Sequence, residues 1–213
     1  MIHKPDTDEL EEAKELAREG VERGEKVLPK EKELKIGFGW NGDDFVKEKM
    51  GGTRGMAYSP VYLKVEFNSR VDEWKENVVA SAVHEYAHTY FYEKKAMDSD
   101  DEMPMWMYIL NEALSQNTTA RLVPEVSNPW RTKQSKEEIA DYWDKIKEEE
   151  LDRTYSFPDP LFIDRSEGGY PNWLGYSLAY LIGKKLREDG VELKEFPELE
   201  REDVVEAGNK LFG

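Results

Sequence analysis

A chain of 213 residues with 38% hydrophobic side chains can bury one substantial core, and it reads as a single domain over 1–213 with appended helices. Its formal net charge of −16 excludes nucleic acid and anionic membranes as natural partners, since both would repel it. The absence of cysteine removes disulfides, thiolate ligands and a cysteine nucleophile together, so any metal must be held by His, Asp or Glu.

The N-terminal residues carry no apolar signal-like region, and no stretch approaches the roughly 20 apolar residues of a membrane span. A soluble, cytoplasmic protein is therefore expected. Residues 8–27 are the first predicted helix, with Leu10, Ala13, Leu16 (or Ala17) and Val21 on a thin apolar stripe and Gly24 and Pro29 near its end. The segments 33–40 (ELKIGFGW) and 55–68 (GMAYSPVYLKVEFN) are predicted strands, rich in aromatic and β-branched residues and bounded by Asn41-Gly42 and Gly51-Gly52. Pro60 is expected at a bulge or an edge of the second. The polar, glycine-rich connection 41–54 reads as a mobile loop.

A long helix is predicted over 71–95, capped by "SRVD" at 69–72, with Val71, Trp74, Val78, Ala82 and Tyr86 at helical spacing. After the acidic loop 98–104, a strongly apolar helix is expected over 105–122. The next opens with a capping box, Ser135 to Glu138, and buries Ile139, Trp143 and Ile146. Residues 152–171, with Pro158, Pro160, Gly168, Gly169 and Pro171, read as an ordered surface loop. A buried helix is predicted over 172–188 and a short one over 196–212. The fold class is α+β and mainly helical. A helix, a small sheet and a central helix fill 1–95, and a helical part fills 96–213.

The chemistry is concentrated in "HEYAH", residues 84–88. On a helix, residues i and i+4 lie about 40° apart around the axis and one turn along it, so His84 and His88 can reach one metal ion. Glu85, one position on, can take a proton from an attacking water without being a ligand. The competing reading is two histidines hydrogen-bonded within a core helix. A catalytic zinc site needs a third protein ligand. A third histidine of the extended pattern is absent, because Phe91 and Lys94 stand where the pattern requires Gly and His. His3 lies in a terminus that should fray, and Asp98, Asp100, Asp101 and Glu102 read as solvated loop acids. Glu112 differs, because it sits inside the apolar run "MYILNEALSQ", where an unpaired carboxylate would cost several kcal/mol. Two neutral imidazoles, one carboxylate and one Zn²⁺ ion leave a net positive centre that acidifies water. Tyr170 and Tyr176 are candidate donors to an oxyanion. Tyr90, Phe91 and Tyr92 read as packing residues.

H-E-x-x-H followed by an Asn-Glu pair on a second helix resembles the gluzincin metallopeptidases, and "NEALSQ" (111–116) is similar to the N-E-x-x-S-D segment of their thermolysin-like branch. The resemblance implies a zincin-like fold, with Glu112 as third zinc ligand and Tyr176 as the oxyanion donor. Gln116 stands where that branch has an aspartate that orients the first histidine. The whole chain resembles a family of predicted zinc-dependent proteases, over about residues 55–190, through "HEYAH", "NEALS" and the late "WLGYSLAYLIG". It implies peptidase action on a peptide or protein substrate. In such enzymes an edge strand pairs with extended peptide. Here "VYLKVEFN" is either that edge or an interior strand. Gly175 and Gly183 read as sites of close helix packing. Two other readings stand beside the peptidase: a hydrolase of non-peptide amides, and an inactive metal-binding protein with a structural or regulatory role.

Overall fold

Capping chemistry starts the first helix. In the computed structural model, which describes residues 5–163 and 169–213, Asp6 and Glu9 exchange side-chain-to-backbone hydrogen bonds of 2.9 and 3.0 Å and open α1 (Thr7–Glu25). His3 and Gly168 lie outside the described residues. The chain divides into two compact units, the first made of residues up to Asp100 with Thr118–Ser127, the second of Asp101–Asn117 with Asn128–Gly213. Both are rich in helix and the first holds one three-stranded sheet, so the α+β, mainly helical class holds. No described helix is long and apolar enough to cross a membrane.

In the first unit, α1 buries Ala13, Ala17, Gly20, Val21 and Gly24, a stripe of smaller residues than the leucine-bearing one expected. The reason is its distance from α3 (Trp74–Lys95): a Cβ on Gly20 would lie 2.6 Å from the Val79 carbonyl oxygen and 2.7 Å from Ala82 Cβ. Replacing Gly20 with alanine should therefore overpack this contact and cost about 1–3 kcal/mol, read as a lower denaturant midpoint at unchanged m-value.

The sheet consists of β1 (Lys35–Trp40), β2 (Thr53–Ser59) and β3 (Tyr62–Phe67), in the order β1-β3-β2. The segment 55–68 is thus a hairpin rather than one strand. Pro60, with a fixed φ and no N–H, sits in the turn, and a register irregularity falls between Ala57 and Ser59. "VYLKVEFN" is interior: β3 pairs parallel with β1 and antiparallel with β2. Among the described residues no further strand pairs with the outer, antiparallel edge of β2, and at one end its Tyr58 carbonyl accepts from the Ser99 N–H at 3.0 Å. The connection 41–54 contains α2 (Asp44–Lys49), whose cap Asp43 accepts from the Phe45 N–H at 2.8 Å. Leu63, Val65 and Phe67 on β3 are fully buried, and β2 and β3 lie against α3.

Helix α3 starts at Trp74 rather than 71. Asn68, not Ser69, organises the turn before it, accepting from Arg70 N–H on its side chain (3.1 Å) and from Val71 N–H on its carbonyl (3.2 Å). The helix ends at Ala96, whose φ of 54° and N–H bonds to Glu93 and Tyr92 carbonyls close its last turn. Val79, Ala80 and Val83 of α3 pack with Val123 and Val126 into a core cluster flanked by Leu16 and Leu122.

The second unit carries most of α4 (Met105–Leu122), then α5 (Lys136–Lys145), a π turn at Ile146–Glu150, α6 (Leu174–Glu188), a 3₁₀ turn at Leu193–Glu198 and α7 (Arg201–Phe212). The Ser135–Glu138 capping box opens α5 as expected. Trp143 and Ile146 are buried here with Leu178, Ile182, Phe196 and Val204. Gly183 allows α6 to approach α4 closely: a Cβ there would sit 3.0 Å from the Ala113 carbonyl oxygen and press on the Asn117 amide. Gly175 meets Phe162 and the Leu161 carbonyl in the same way, so both glycines serve packing.

Candidate functional site

His84, Glu85 and His88 lie in the middle of α3, in the stretch where the helix is buried on nearly every side. His84 is half-buried, and His88 and Glu85 are each 7% exposed. The spacing of four brings the two Nε2 atoms to 3.1 Å, with the rings at 80° to one another. Two ligands of a tetrahedral ion at 2.0–2.1 Å stand about 3.3 Å apart, so the imidazoles converge as a metal pair would. His88 also stacks on Tyr92, with centroids 6.3 Å apart.

Glu85 faces the sheet. Thr53 on β2 holds Ser81 Oγ at 2.9 Å, one helical turn before Glu85. Gly55, two residues along β2, then passes directly over the Glu85 side chain. Tyr90, Phe91 and Tyr92 are buried, in keeping with a packing role. Asp98, Asp100, Asp101 and Glu102 are exposed, as solvated loop acids should be.

Glu112 is 3% exposed in the middle of α4, as its apolar neighbours suggested. Burial raises its carboxyl from the ordinary 4.5 to about 7, against the opposing hydrogen bonds of Gln116 and Tyr108. Those two residues stand four positions to either side of it, on the same helix face. The Tyr108 hydroxyl donates to Glu112 Oε1 at 3.3 Å, and its ring stacks on Tyr155 with centroids 3.6 Å apart. Burial, reinforced by the Glu112 charge, lifts the Tyr108 phenol well above its usual range, so it stays a donor. Sequence reading passed over Tyr108. The i, i+4 spacing to Glu112 was the available signal. Gln116 spends an amide N–H on the Tyr176 carbonyl at 3.1 Å, while its Oε1 accepts from no described residue.

Of the two tyrosines, Tyr170 donates its hydroxyl to Glu150 at 2.8 Å, and burial and that bond raise it above its ordinary range. Tyr176 lies half-buried on α6, its ring edge-on to Phe162 at 5.1 Å.

A second buried charge was not foreseen. Arg131 is 7% exposed, its guanidinium lies 5.5 Å from the Tyr180 ring centroid, and its Nε and Nη2 meet no acceptor among the described residues. A buried cation with no counter-ion among the described residues is costly. Arg131→Met should therefore stabilise the protein by about 1–3 kcal/mol, read as a higher thermal midpoint.

His84, His88 and Glu112 form one group that could hold a metal ion. Two imidazoles and one carboxylate are a donor set that suits zinc, and a further carboxylate, Glu85, stands directly after His84. The chain belongs to a family described as predicted Zn-dependent protease (DUF2268), whose profile matches residues 44–206. That span takes in β2, β3 and all four residues just named. No curated protein and no solved structure matches the chain.

Proposed function

We propose that the protein is a zinc-dependent peptidase of gluzincin type on a zincin-like fold, holding one zinc ion on His84, His88 and Glu112. The observation that carries the reading is the 3.1 Å convergence of the two histidine Nε2 atoms with Glu85 between them on the same helix. A bound zinc ion supplies Lewis acidity and lowers the pKa of a coordinated water. Glu85 takes a proton from the attacking water as the water oxygen bonds to the scissile carbonyl carbon. It then returns that proton to the leaving nitrogen, so the C–N bond breaks to give an amine. The Tyr176 hydroxyl donates to the carbonyl oxygen as charge develops there. Tyr108 and Gln116 hold the Glu112 carboxylate in one orientation.

The substrate is an extended peptide or protein segment. Pairing in an antiparallel ladder alternates, and the Asn68 N–H bonds to the Gly52 carbonyl. Arg54 and Met56 therefore point their backbone groups at β3, and Gly55 and Ala57 point theirs at the outer edge, between the Thr53 N–H held by the Met50 carbonyl and the Tyr58 carbonyl held by the Ser99 N–H. A peptide added to that edge runs past Gly55, and so past Glu85. The excess of acidic residues accords with an enzyme that binds neither nucleic acid nor anionic membrane, and we place it in the cytoplasm.

The test is the zinc content of the purified protein, followed by digestion of a peptide library read by mass spectrometry, before and after chelation and on zinc return. One zinc per chain with cleavage that follows the metal supports the reading. One zinc with no cleavage of any peptide, and unfolding on chelation, would make the metal structural. Cleavage of non-peptide amides alone would make the protein a different hydrolase.

A further inference from the structure

We infer that Gly55 is a positioning residue for Glu85: the missing side chain on the edge strand is what leaves the carboxylate its working place. This rests on the reading of Glu85 as the base. Gly55 lies in the middle of β2, paired with Val65, and its neighbours on the same face, Thr53 and Ala57, are buried against α3. Thr53 is pinned to Ser81 at 2.9 Å. Two residues of strand advance about 6.6 Å and one helical turn about 5.4 Å, so the step from Thr53 to Gly55 matches the step from Ser81 to Glu85. The strand and the helix run side by side, and residue 55 always meets residue 85.

A Cβ at position 55 would lie 2.6 Å from Glu85 Cδ and closer still to Cγ and Oε1. All three are atoms of one flexible side chain. No backbone atom is among those nearest neighbours, so Gly55→Ala leaves the strand in place and drives the carboxylate aside. Glycine weakens a strand interior, where it adds entropy to the unfolded chain and packs nothing. Its presence between two buried neighbours is accounted for by the side chain that it faces. Gly55 also presents its backbone to the outer edge, so the thickness of one glycine separates a paired peptide from the base.

The experiment is a double-mutant cycle on zinc-loaded protein with a peptide that the wild type cleaves. Gly55→Ala should lower kcat about a hundredfold, with KM and zinc content unchanged, since a displacement near 1 Å is worth that much. In the Glu85→Gln background the same substitution should cost nothing further, because the base that it displaces is already gone. Wild-type kcat in Gly55→Ala, or an equal loss in both backgrounds, overturns the inference. The thermal midpoint supplies a readout that does not depend on hydrolysis. Gly55→Ala should lower it in the wild type and raise it in Glu85→Ala, where the new methyl enters the vacated space. Equal shifts in the two backgrounds overturn the coupling. A wild type that cleaves no peptide overturns the peptidase reading alone, and the thermal cycle still decides whether residues 55 and 85 compete for one space.

Discussion

Glu85→Gln should lower kcat by about 10²–10⁴-fold, the range typical of a positioned general base, while the protein still folds and binds one zinc ion. Glutamine has the shape of glutamate and keeps one acceptor oxygen, with an NH₂ donor in place of the other, but it cannot accept a proton from water at neutral pH. Glu85 is 7% exposed and lies between β2 and α3, so an isosteric change leaves that packing intact. The measurement is steady-state hydrolysis beside metal content and circular dichroism. The loss should appear in kcat and kcat/KM together, because proton transfer belongs to the transition state. Hydrolysis within a few fold of wild type would remove Glu85 from the mechanism.

Glu112→Gln should weaken zinc binding by more than about a hundredfold, since the outer partners of metal ligands are themselves worth 10–100-fold. The same substitution should change how stability depends on pH in the metal-free protein. Burial holds the Glu112 carboxyl at about 7 in the fold, above its ordinary 4.5. Between those values the folded chain keeps a proton that the unfolded chain has released. Stability then falls as pH rises from 4.5 to 7, by roughly 3 kcal/mol, and is flat for this group outside that window. Metal-free Glu112→Gln, with no proton to lose, should lack that slope and be the more stable of the two at pH 8. Zinc binds the ionised carboxylate, so wild-type affinity should rise through the same window. Thermal midpoints from pH 4 to 8 and competition with a chelator read both effects. Unchanged zinc affinity in Glu112→Gln would exclude it as a ligand.

Much of this centre could be read before any fold was known, because its first half is local. His84 and His88 converge through helical geometry alone, and the spacing of four decides it whatever packs around them. Glu112 was legible for a different reason. A carboxylate inside "MYILNEALSQ" has to be buried, and the structure leaves it 3% exposed. The Ser135–Glu138 box was readable because both its hydrogen bonds close within three residues.

The misreadings share one cause. Alternation in "GMAYSPVYLKVEFN" indicates which side chains face a core but not which strand pairs with which. The segment therefore read as one strand, when Pro60 turns it into a hairpin and places its second half in the middle of the sheet. The stripe on α1 suggested leucines, and the tight crossing at Val79 and Ala82 selects glycine and alanine. In "MWMYILNE" the spacing of four puts Tyr108 on the same helix face as Glu112, and only the folded structure shows that its hydroxyl donates to that carboxylate as well as packing.

The sequence by itself determined the chemistry available to the protein: two imidazoles on one turn, a carboxylate beside them, a buried glutamate on a later helix and no thiol. Those depend on backbone periodicity and on the cost of burying charge, which act over a few residues. Only the tertiary structure decided that β2 lies at an outer edge and that Gly55 covers Glu85. Both depend on strand order, and strand order comes from pairing between distant segments, whose hydrogen bonds are the same for every sequence. Side-chain fit chooses among the pairings, and that fit exists only once the chain has folded.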